Sequence, residues 1–539
     1  MLPRPFVALA LAFTLAAPAA HAQTVEQRIY AEGTARSGVM RHLHVLTDVH
    51  GARLTGSPSL KAAGEWALTT MQGWGMTNPT RFPWSWGHAG WENDYLAAHV
   101  VAPYRTALVA EALGWTPSTA GEVRGRAVRL VAPVNPTRAA MSAYEDSMRA
   151  LVRGAIVLVG NVGTAQAAPA SLQQRITDEE ARTRFTPRPA DASAPATPNR
   201  PPPPPGGPRQ AGTLGGAAVA ARVDSFLLAS GALVRVNAAG MENGLIRAFA
   251  NRSFDPATAV PTVVLRDEDF GRLIRVMGDG MAPELAFDIR NTNYPGAETE
   301  HNYLAEIAGT DKAGEVVMLG GHLDSWHAAT GATDNAAGSA VMMEAARILT
   351  RVFADLGERP RRTIRVGLWT GEEQGLLGSR AYVEGTFGSF ENPKPAFEGF
   401  AGYFNVDSGT GRLRGASVFG PTEAAEMLDR ILEPLDSLGV AGARPSFSRA
   451  IGGSDHTAFN NAGLPGIGMG QDPIAYFTTT WHTNVDTYER LLPKDLQQAA
   501  VTVALAVYRL ATQEERLPRF APADMPVAPG AARPAASSR

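Results

Sequence analysis

The sequence predicts an α/β protein, a mixed and mostly parallel sheet sandwiched by helices, with an inserted β-rich unit. From Asn302 onward strand-like runs (YLAEIAG, EVVMLGGHLD, TIRVGLWT, GYFNVDS) alternate with helical stretches at 337–356 and 375–383. That alternation is the pattern of βαβ units covered on both faces. Upstream, from about Gly121, RAVRLVAP and GAIVLVGN are short β-rich runs separated by turn residues. A chain of 539 residues, 45% hydrophobic and 19% charged, holds material for two cores.

In chain order, residues 1–22 carry one Arg, an apolar stretch over 6–17 and Ala-His-Ala before Gln23. That is the grammar of a secretory signal peptide, so an exported protein, periplasmic or extracellular, is expected. The apolar stretch is too short to span a membrane, and no later run reaches about 18 apolar residues, so no membrane contact is expected after cleavage. Residues 25–71 read as helices broken by HGARLTGSP at 50–58. The main domain is expected over 23–120 and 295–516, and the insert over 121–294. Within the insert, 186–209 is Pro-rich, with five successive prolines at 201–205, and is expected as an exposed semi-rigid loop. TLGGAAVAARVDSFLLASGALVRVN reads as helix then strand, and TAVPTVVLRDEDFGRLIRVM as strand then helix. The Pro/Ala-rich tail, 517–539, is expected to be disordered. The absence of cysteine excludes disulfides and thiolate chemistry, and a net charge of −3 without a basic stripe argues against nucleic acid.

Acid and imidazole side chains stand at or near the ends of the apolar runs. They are His322 in GGHLDSW, Asp334 in GATDNAAGS, Glu372 and Glu373 in LWTGEEQG, Asp407 in YFNVDSGT and His482 in TWHTNVDT. In open α/β sheets chemistry gathers at the carboxyl ends of strands. Zinc accepts imidazole nitrogen and carboxylate oxygen, and two zincs sharing one carboxylate need about five such groups. A sixth is then free to handle protons. Asp324 projects to the same side as His322 and is expected to accept the imidazole N–H that faces away from a metal. The short loop from His322 suits Asp334 to a bridging role. Glu372 and Glu373 point apart, so one can bind metal while its neighbour acts as general base.

Each of these residues has an ordinary reading when taken alone: a surface histidine, a helix N-cap for Asp334, an acidic first helical turn for the glutamates. Their joint occurrence at four strand ends or loops favours a site. His42, His44, Asp48 and His50 cluster in a helix–turn with no strand end to focus them and read as structural. His327 sits on a loop outside the ligand set, and His456, in GGSDHTAF, reads as a pocket-wall or orienting residue.

Together the motifs resemble the co-catalytic di-zinc metallo-exopeptidase family that includes bacterial leucyl aminopeptidase and plasma glutamate carboxypeptidase (carboxypeptidase Q). NYLAEIAG is similar to the family's opening strand, GGHLDSW to its His-x-Asp, and TDNAAGSA to its bridging aspartate and helix. WTGEEQGLLGS is similar to its Glu-Glu pair, NVDSG to its third carboxylate, GGSDHTAF to its Ser-Asp-His segment and WHTNVDT to its last histidine. The resemblance covers 302 to about 513 and extends to GARLTGSPSLKAAGEWA; 121–294 resembles, more weakly, the protease-associated (PA) domain of several members. HLDSW followed by WT-x-EEQG is nearer the carboxypeptidase Q branch, in which Asn335 would be a second Asp.

The resemblance implies two zinc ions per chain, one on His322, Asp334 and Asp407, the other on Asp334, Glu373 and His482. It implies Glu372 as general base, Asp324 as the residue orienting His322, and a short peptide or dipeptide as substrate. Aminopeptidase, carboxypeptidase and dipeptidase attack stay open; Arg449 and Arg380 are the cations considered for a substrate α-carboxylate. Two other functions use related folds: a zinc glutaminyl cyclase, which works with one zinc, and a non-catalytic binding protein, which loses ligands. The complete set here argues against both. Association as a homodimer is left open.

Overall fold

The computed structural model describes residues 23–163, 174–187 and 211–529. The signal-like segment, the Pro-rich stretch from 188 and the tail from 530 lie outside the described residues. Two open eight-stranded sheets organise the rest. The first runs Thr77–Ser85, Thr299–Ile307, Arg362–Trp369, Lys312–His322, Phe400–Asn405, Gly466–Gln471, Leu413–Phe419, Ala443–Ser446. Its central pairs are parallel, from Arg362–Trp369 across to Gly466–Gln471, with antiparallel strands flanking them.

The pleat sorts the apolar runs onto two faces. Val317 and Leu319 join one core with the helices Ala337–Leu356 and Pro493–Thr512. Met318, between them, points into an aromatic cluster on the other face with Trp369, Tyr382, Tyr403 and Phe459. The helix Pro58–Gly73 starts where Ser57 accepts a hydrogen bond from the Leu60 N–H and Pro58 takes the first turn. It crosses the strand Thr299–Ile307 at Gly64, where an added Cβ would lie 2.0 Å from the Tyr303 ring.

The second sheet runs Thr106–Ala107, Gly90–Ala102, Glu284–Tyr294, Val123–Leu130, Ile156–Val159, Val234–Ala238, Thr262–Leu265, Ala110–Ala112. Helices Arg138–Val152 and Gly216–Ser230 cover one face and Asp267–Gly278 the other. The insert is therefore α/β rather than simply β-rich, and its sheet begins near residue 90 instead of 121. The long antiparallel pairing of Gly90–Ala102 with Glu284–Tyr294 draws the earlier segment in. Trp84, Trp86, Trp91, Trp115 and Trp326 form a cluster where the two sheets meet.

The tail also departs from expectation. Leu517 is buried, the Phe520 ring packs edge-on against Phe419, and the Arg519 guanidinium lies over Phe397 while donating to the Phe400 carbonyl. Contact continues to Pro526, whose carbonyl accepts from Arg449. Composition marked this segment as Pro/Ala-rich, and two apolar anchors outweigh it.

Gly64→Ala forces the helix off its strand and is expected to cost about 1–3 kcal/mol, as overpacking does. Gly73→Ala, at a position with open space around it, is expected within about 0.5 kcal/mol of the parent. Equilibrium denaturation of both variants checks this, and equal midpoints would contradict the close packing.

Candidate metal centre

His322 is the last residue of the strand Lys312–His322, paired with Trp369, the last residue of its parallel neighbour. Three residues past Trp369 come Glu372 and Glu373, and two past the strand Phe400–Asn405 comes Asp407. Adjacent parallel strands thus deliver these side chains to one rim, as the switch-point rule requires. Asp334 arrives on the loop that follows His322, and His482 on a loop with left-handed backbone (φ 60°). A non-glycine residue at positive φ is a costly conformation that the surroundings must enforce.

The ordinary readings fail. The helix behind Asp334 begins at Ala337, and the side chain that accepts a first-turn amide, Gly338 N–H, is that of Asn335, so Asp334 is not an N-cap. The helix after the glutamates begins only at Leu377 and has no acid in its first turn.

Asp334 lies at the centre. Its Oδ1 is 3.3 Å from His322 Nε2 and its Oδ2 is 3.1 Å from His482 Nε2. Around His322 Nε2 stand Asp407 Oδ1 at 3.3 Å and Glu372 Oε2 at 3.9 Å. Around His482 Nε2 stands Glu373 Oε2 at 2.9 Å. The His482 ring is stacked on Trp481 at 4.0 Å and met edge-on by Phe249 at 5.4 Å.

Two acids outside this set hold its backbone. The Asp324 carboxylate accepts the Glu372 and Glu373 N–H groups, each at 3.2 Å, and the Thr55 hydroxyl at 3.2 Å. The His322 Nδ1 that was expected to reach this carboxylate is nearer the Asp324 main-chain carbonyl, 3.0 against 3.6 Å. Asp324 therefore positions the glutamate pair at least as directly as it positions the imidazole. Asp486 repeats the device: its two oxygens accept Thr333 N–H at 2.6 Å and Asp334 N–H at 3.0 Å.

Asp486, within WHTNVDT, and Arg53, within HGARLTGSP, have no role that the sequence alone marks. Arg53 is fully buried and donates to the carbonyls of Leu46, Gly51, Leu323, Thr330 and Gly331. It thereby braces both ends of the loop from His322 to Asp334. Its only signal was a charged residue between small ones in GARLTGS. Asn335, buried, donates to the Val406 carbonyl and accepts the Gly338 N–H, a pair of bonds an ionised aspartate could not make.

The electrostatics are those of crowded acids. Burial pushes the Glu373 and Asp486 carboxyls up to about 7, with Asp334 adding to both shifts. Burial raises Glu372 well above the carboxylate range; Asp407, Asp455 and Glu373 add to it while His322 opposes. Burial lowers both imidazoles, yet Asp407 and Glu372 lift His322 well above its ordinary value, and Glu373 and Asp334 lift His482 to about 10. Burial, with Asp407 and Asp324 adding and His322 and Ser379 opposing, brings Asp455 up to about 7, and burial alone brings His456 down to about 4. Arg53, brought down by burial to about 10, faces Asp486, Asp324, Asp334 and Glu373.

Whether these residues suit a metal can be judged from their unmet bonds. Asp334 Oδ2 and Glu373 Oε1 are buried without a hydrogen-bond donor. His322, Asp334 and Glu373, and separately His322, Glu372 and Asp407, bring ligand atoms within 4.8 Å of one another. Orphaned carboxylate oxygens converging with imidazole nitrogens are a donor set fit for zinc.

The remaining candidates fall elsewhere. His42 pairs with Glu344 at 3.2 Å and His44 with Asp48 at 2.7 Å. His327 reaches the Ala112 carbonyl at 2.7 Å, joining the loop to the second sheet. Arg449 is held by Glu391 and the Asn461 carbonyl, and Arg380 is exposed.

Asp486→Ala removes the acceptor for two main-chain amides beneath the candidate ligands. Zinc affinity, measured by competition with a chelator, is expected to fall about 10–100-fold with the fold intact. An unchanged affinity would mean the clamp is dispensable.

Comparison with known proteins agrees with this geometry. Residues 302–507 match the model of peptidase family M28. Carboxypeptidase Q from Mus musculus is 31% identical over 265 residues, 49% of this chain and 53% of that protein. Leupeptin-inactivating enzyme 1 from Streptomyces exfoliatus is 30% identical over 230 residues, 39% of this chain and 49% of that protein. The chain thus spans about half the length of the curated relatives it matches. Among solved structures, a peptidase M28 precursor from Shewanella amazonensis superposes with a TM-score of 0.62 at 21% identity, covering 92% of this chain and 98% of that one. The zinc aminopeptidase of Bacillus subtilis does so with a TM-score of 0.53 at 18% identity, covering 89% and 96%.

Proposed function

We propose that the protein is a zinc-dependent exopeptidase that hydrolyses short peptides or dipeptides. One observation carries this reading: the Asp334 carboxylate divides its two oxygens between His322 and His482, each beside its own second carboxylate, Asp407 or Glu373. That division supports two ligand sets sharing Asp334, namely His322, Asp334 and Asp407, and Asp334, Glu373 and His482. Two zinc ions there would polarise a scissile carbonyl and make a water nucleophilic near neutrality. The names of the relatives, a carboxypeptidase and a zinc aminopeptidase, support the same class.

The rest is work for the chain's own groups. Glu372 Oε2, 3.9 Å from His322 Nε2, is the remaining carboxylate and acts as general base. It takes a proton from the attacking water and returns it to the leaving amine. Asp324, through the Glu372 and Glu373 amides, keeps the base and its metal-binding neighbour in fixed relation. Aromatic walls from Trp326, Trp481 and Phe249 limit water around His482. Export is part of the proposal and rests on the grammar of residues 1–22.

Glu372→Gln is expected to keep about the parent zinc content while lowering kcat by at least 10²-fold, roughly the share of a general base. Chelation of the parent should abolish turnover and zinc should restore it. Free and end-blocked dipeptides then give direction: loss on N-terminal blocking means an aminopeptidase, loss on C-terminal blocking a carboxypeptidase, loss on either a dipeptidase. A parent protein that binds zinc and cleaves none of them refutes the reading.

A further inference from the structure

The two imidazoles of the candidate centre are held in different ways. His322 closes a strand of the first sheet, and its Nδ1 lies 3.0 Å from the Asp324 main-chain carbonyl. A histidine that binds metal ordinarily has such a partner for its outer nitrogen, and that bond fixes the ring. His482 has none, for its Nδ1 is buried without a hydrogen-bond partner among the described residues. It also stands on a loop rather than at a strand end, with a backbone (φ 60°) that its neighbours must enforce.

One side of that loop is tied to the first unit, where the Thr333 hydroxyl donates to Thr480 Oγ1 at 2.9 Å and Asp486 takes the Thr333 and Asp334 amides. The other side is tied to the insert. Asn484, two residues past His482, meets it at three points. Its N–H donates to the Ile246 carbonyl at 3.0 Å, its Oδ1 accepts the Ile246 N–H at 2.8 Å, and its Nδ2 donates to the Gly244 carbonyl at 3.3 Å. Just before His482, the Trp481 carbonyl accepts from Arg247 Nε at 3.1 Å, and the same guanidinium lies over the Trp481 ring at 4.9 Å. Residues on both flanks of His482 are therefore bonded to one short stretch of the insert. That stretch also touches the imidazole itself, through the edge-on Phe249 ring at 5.4 Å. Phe249 is held in turn, its carbonyl accepting the Gly114 N–H at 2.7 Å and its ring meeting Trp326 at 5.0 Å.

Resting on the exopeptidase reading and its two ligand sets, we infer that the insert is the positioning element of His482. Asn484, Arg247 and Phe249 are positioning residues that supply the orientation for which Nδ1 has no partner. Occupancy of the set Asp334, Glu373 and His482 then depends on the insert. The set His322, Asp334 and Asp407 is formed by strand ends and a loop of the first unit alone.

The test measures stepwise zinc release from the full, zinc-loaded chain by competition with a chelator. His482→Ala marks the step that belongs to its own ligand set. In Asn484→Ala and in Phe249→Ala that same step is expected to weaken about 10–100-fold, the usual effect of removing a partner behind a ligand, while the other step keeps the parent value. Phe249 is 39% exposed, so its truncation leaves the core of the insert in place. Arg252→Gln, on the same stretch but paired with Asp224 at 2.8 Å, should leave both steps unchanged. Parent-like release in both Asn484→Ala and Phe249→Ala, or an equal fall in both steps as general loosening of the fold would give, overturns the positioning role and leaves the exopeptidase reading standing. A parent chain that binds fewer than two zinc ions overturns the two ligand sets and the inference with them.

Discussion

Gathering like charges in a dry place is the constraint on which the rest of this structure depends. At an effective dielectric of about 20, two carboxylates about 4 Å apart repel by about 4 kcal/mol, and this rim assembles several. The fold answers with main-chain N–H groups directed by a second layer of acids. Asp324 takes the amides of Glu372 and Glu373, and Asp486 takes those of Thr333 and Asp334. Each outer carboxylate so fixes the backbone of an inner one. Arg53 lies within electrostatic reach of both outer acids and of Asp334 and Glu373, and its guanidinium hydrogen bonds run to main-chain carbonyls rather than to those acids. It contributes charge without donating a hydrogen bond to any of these acids.

The parallel centre of the first sheet makes this arrangement possible. Parallel neighbours end together, so His322, the Glu372–Glu373 turn and Asp407 leave the sheet at one edge. A buried relay then fixes a further segment. Trp369 Nε1 donates to the Tyr403 hydroxyl, which donates to Asn405 Oδ1, and Asn405 Nδ2 donates to Ser454 Oγ. The relay begins on one strand, passes through its neighbour but one, and ends at the Ser454-Asp455-His456 segment. The position of that segment is thus set by the same core that aligns the strand ends.

Legibility in the sequence followed from how local each signal is. The helix at 337–356 and the strands ending in His322 and before Glu372 were readable, because apolar runs with caps and turns are local patterns. The ligand candidates were readable because each stands beside such a run. Arg53 and Asp486 were not, since their importance comes from partners about 270 and 150 residues away, and no local pattern marks a charge that will be buried. The strand Gly90–Ala102 was missed for a related reason: its pairing partner, Glu284–Tyr294, lies beyond the whole insert. Arg449 and Arg380 are cations of the right type, but type does not say which cation already has an acid, as Arg449 has in Glu391.

The same distinction explains why the Gln174–Phe185 segment behaves as part of the first unit. Arg414 is fully buried on the strand Leu413–Phe419, and its close acid partner is Asp178 from that segment, with Asp472 farther at 3.8 Å. Asp178 itself is largely exposed, so what ties the segment down is the buried Arg414 charge, which is left uncompensated if the pair opens. Asp472 is buried as well and draws Arg175 from the same segment together with Arg412. A wall held by two buried charges and by Phe185 over Gly415 and Gly470 is a fixed surface rather than a mobile lid. The first sheet therefore gains a fixed surface from a stretch of chain that composition assigns to a different unit.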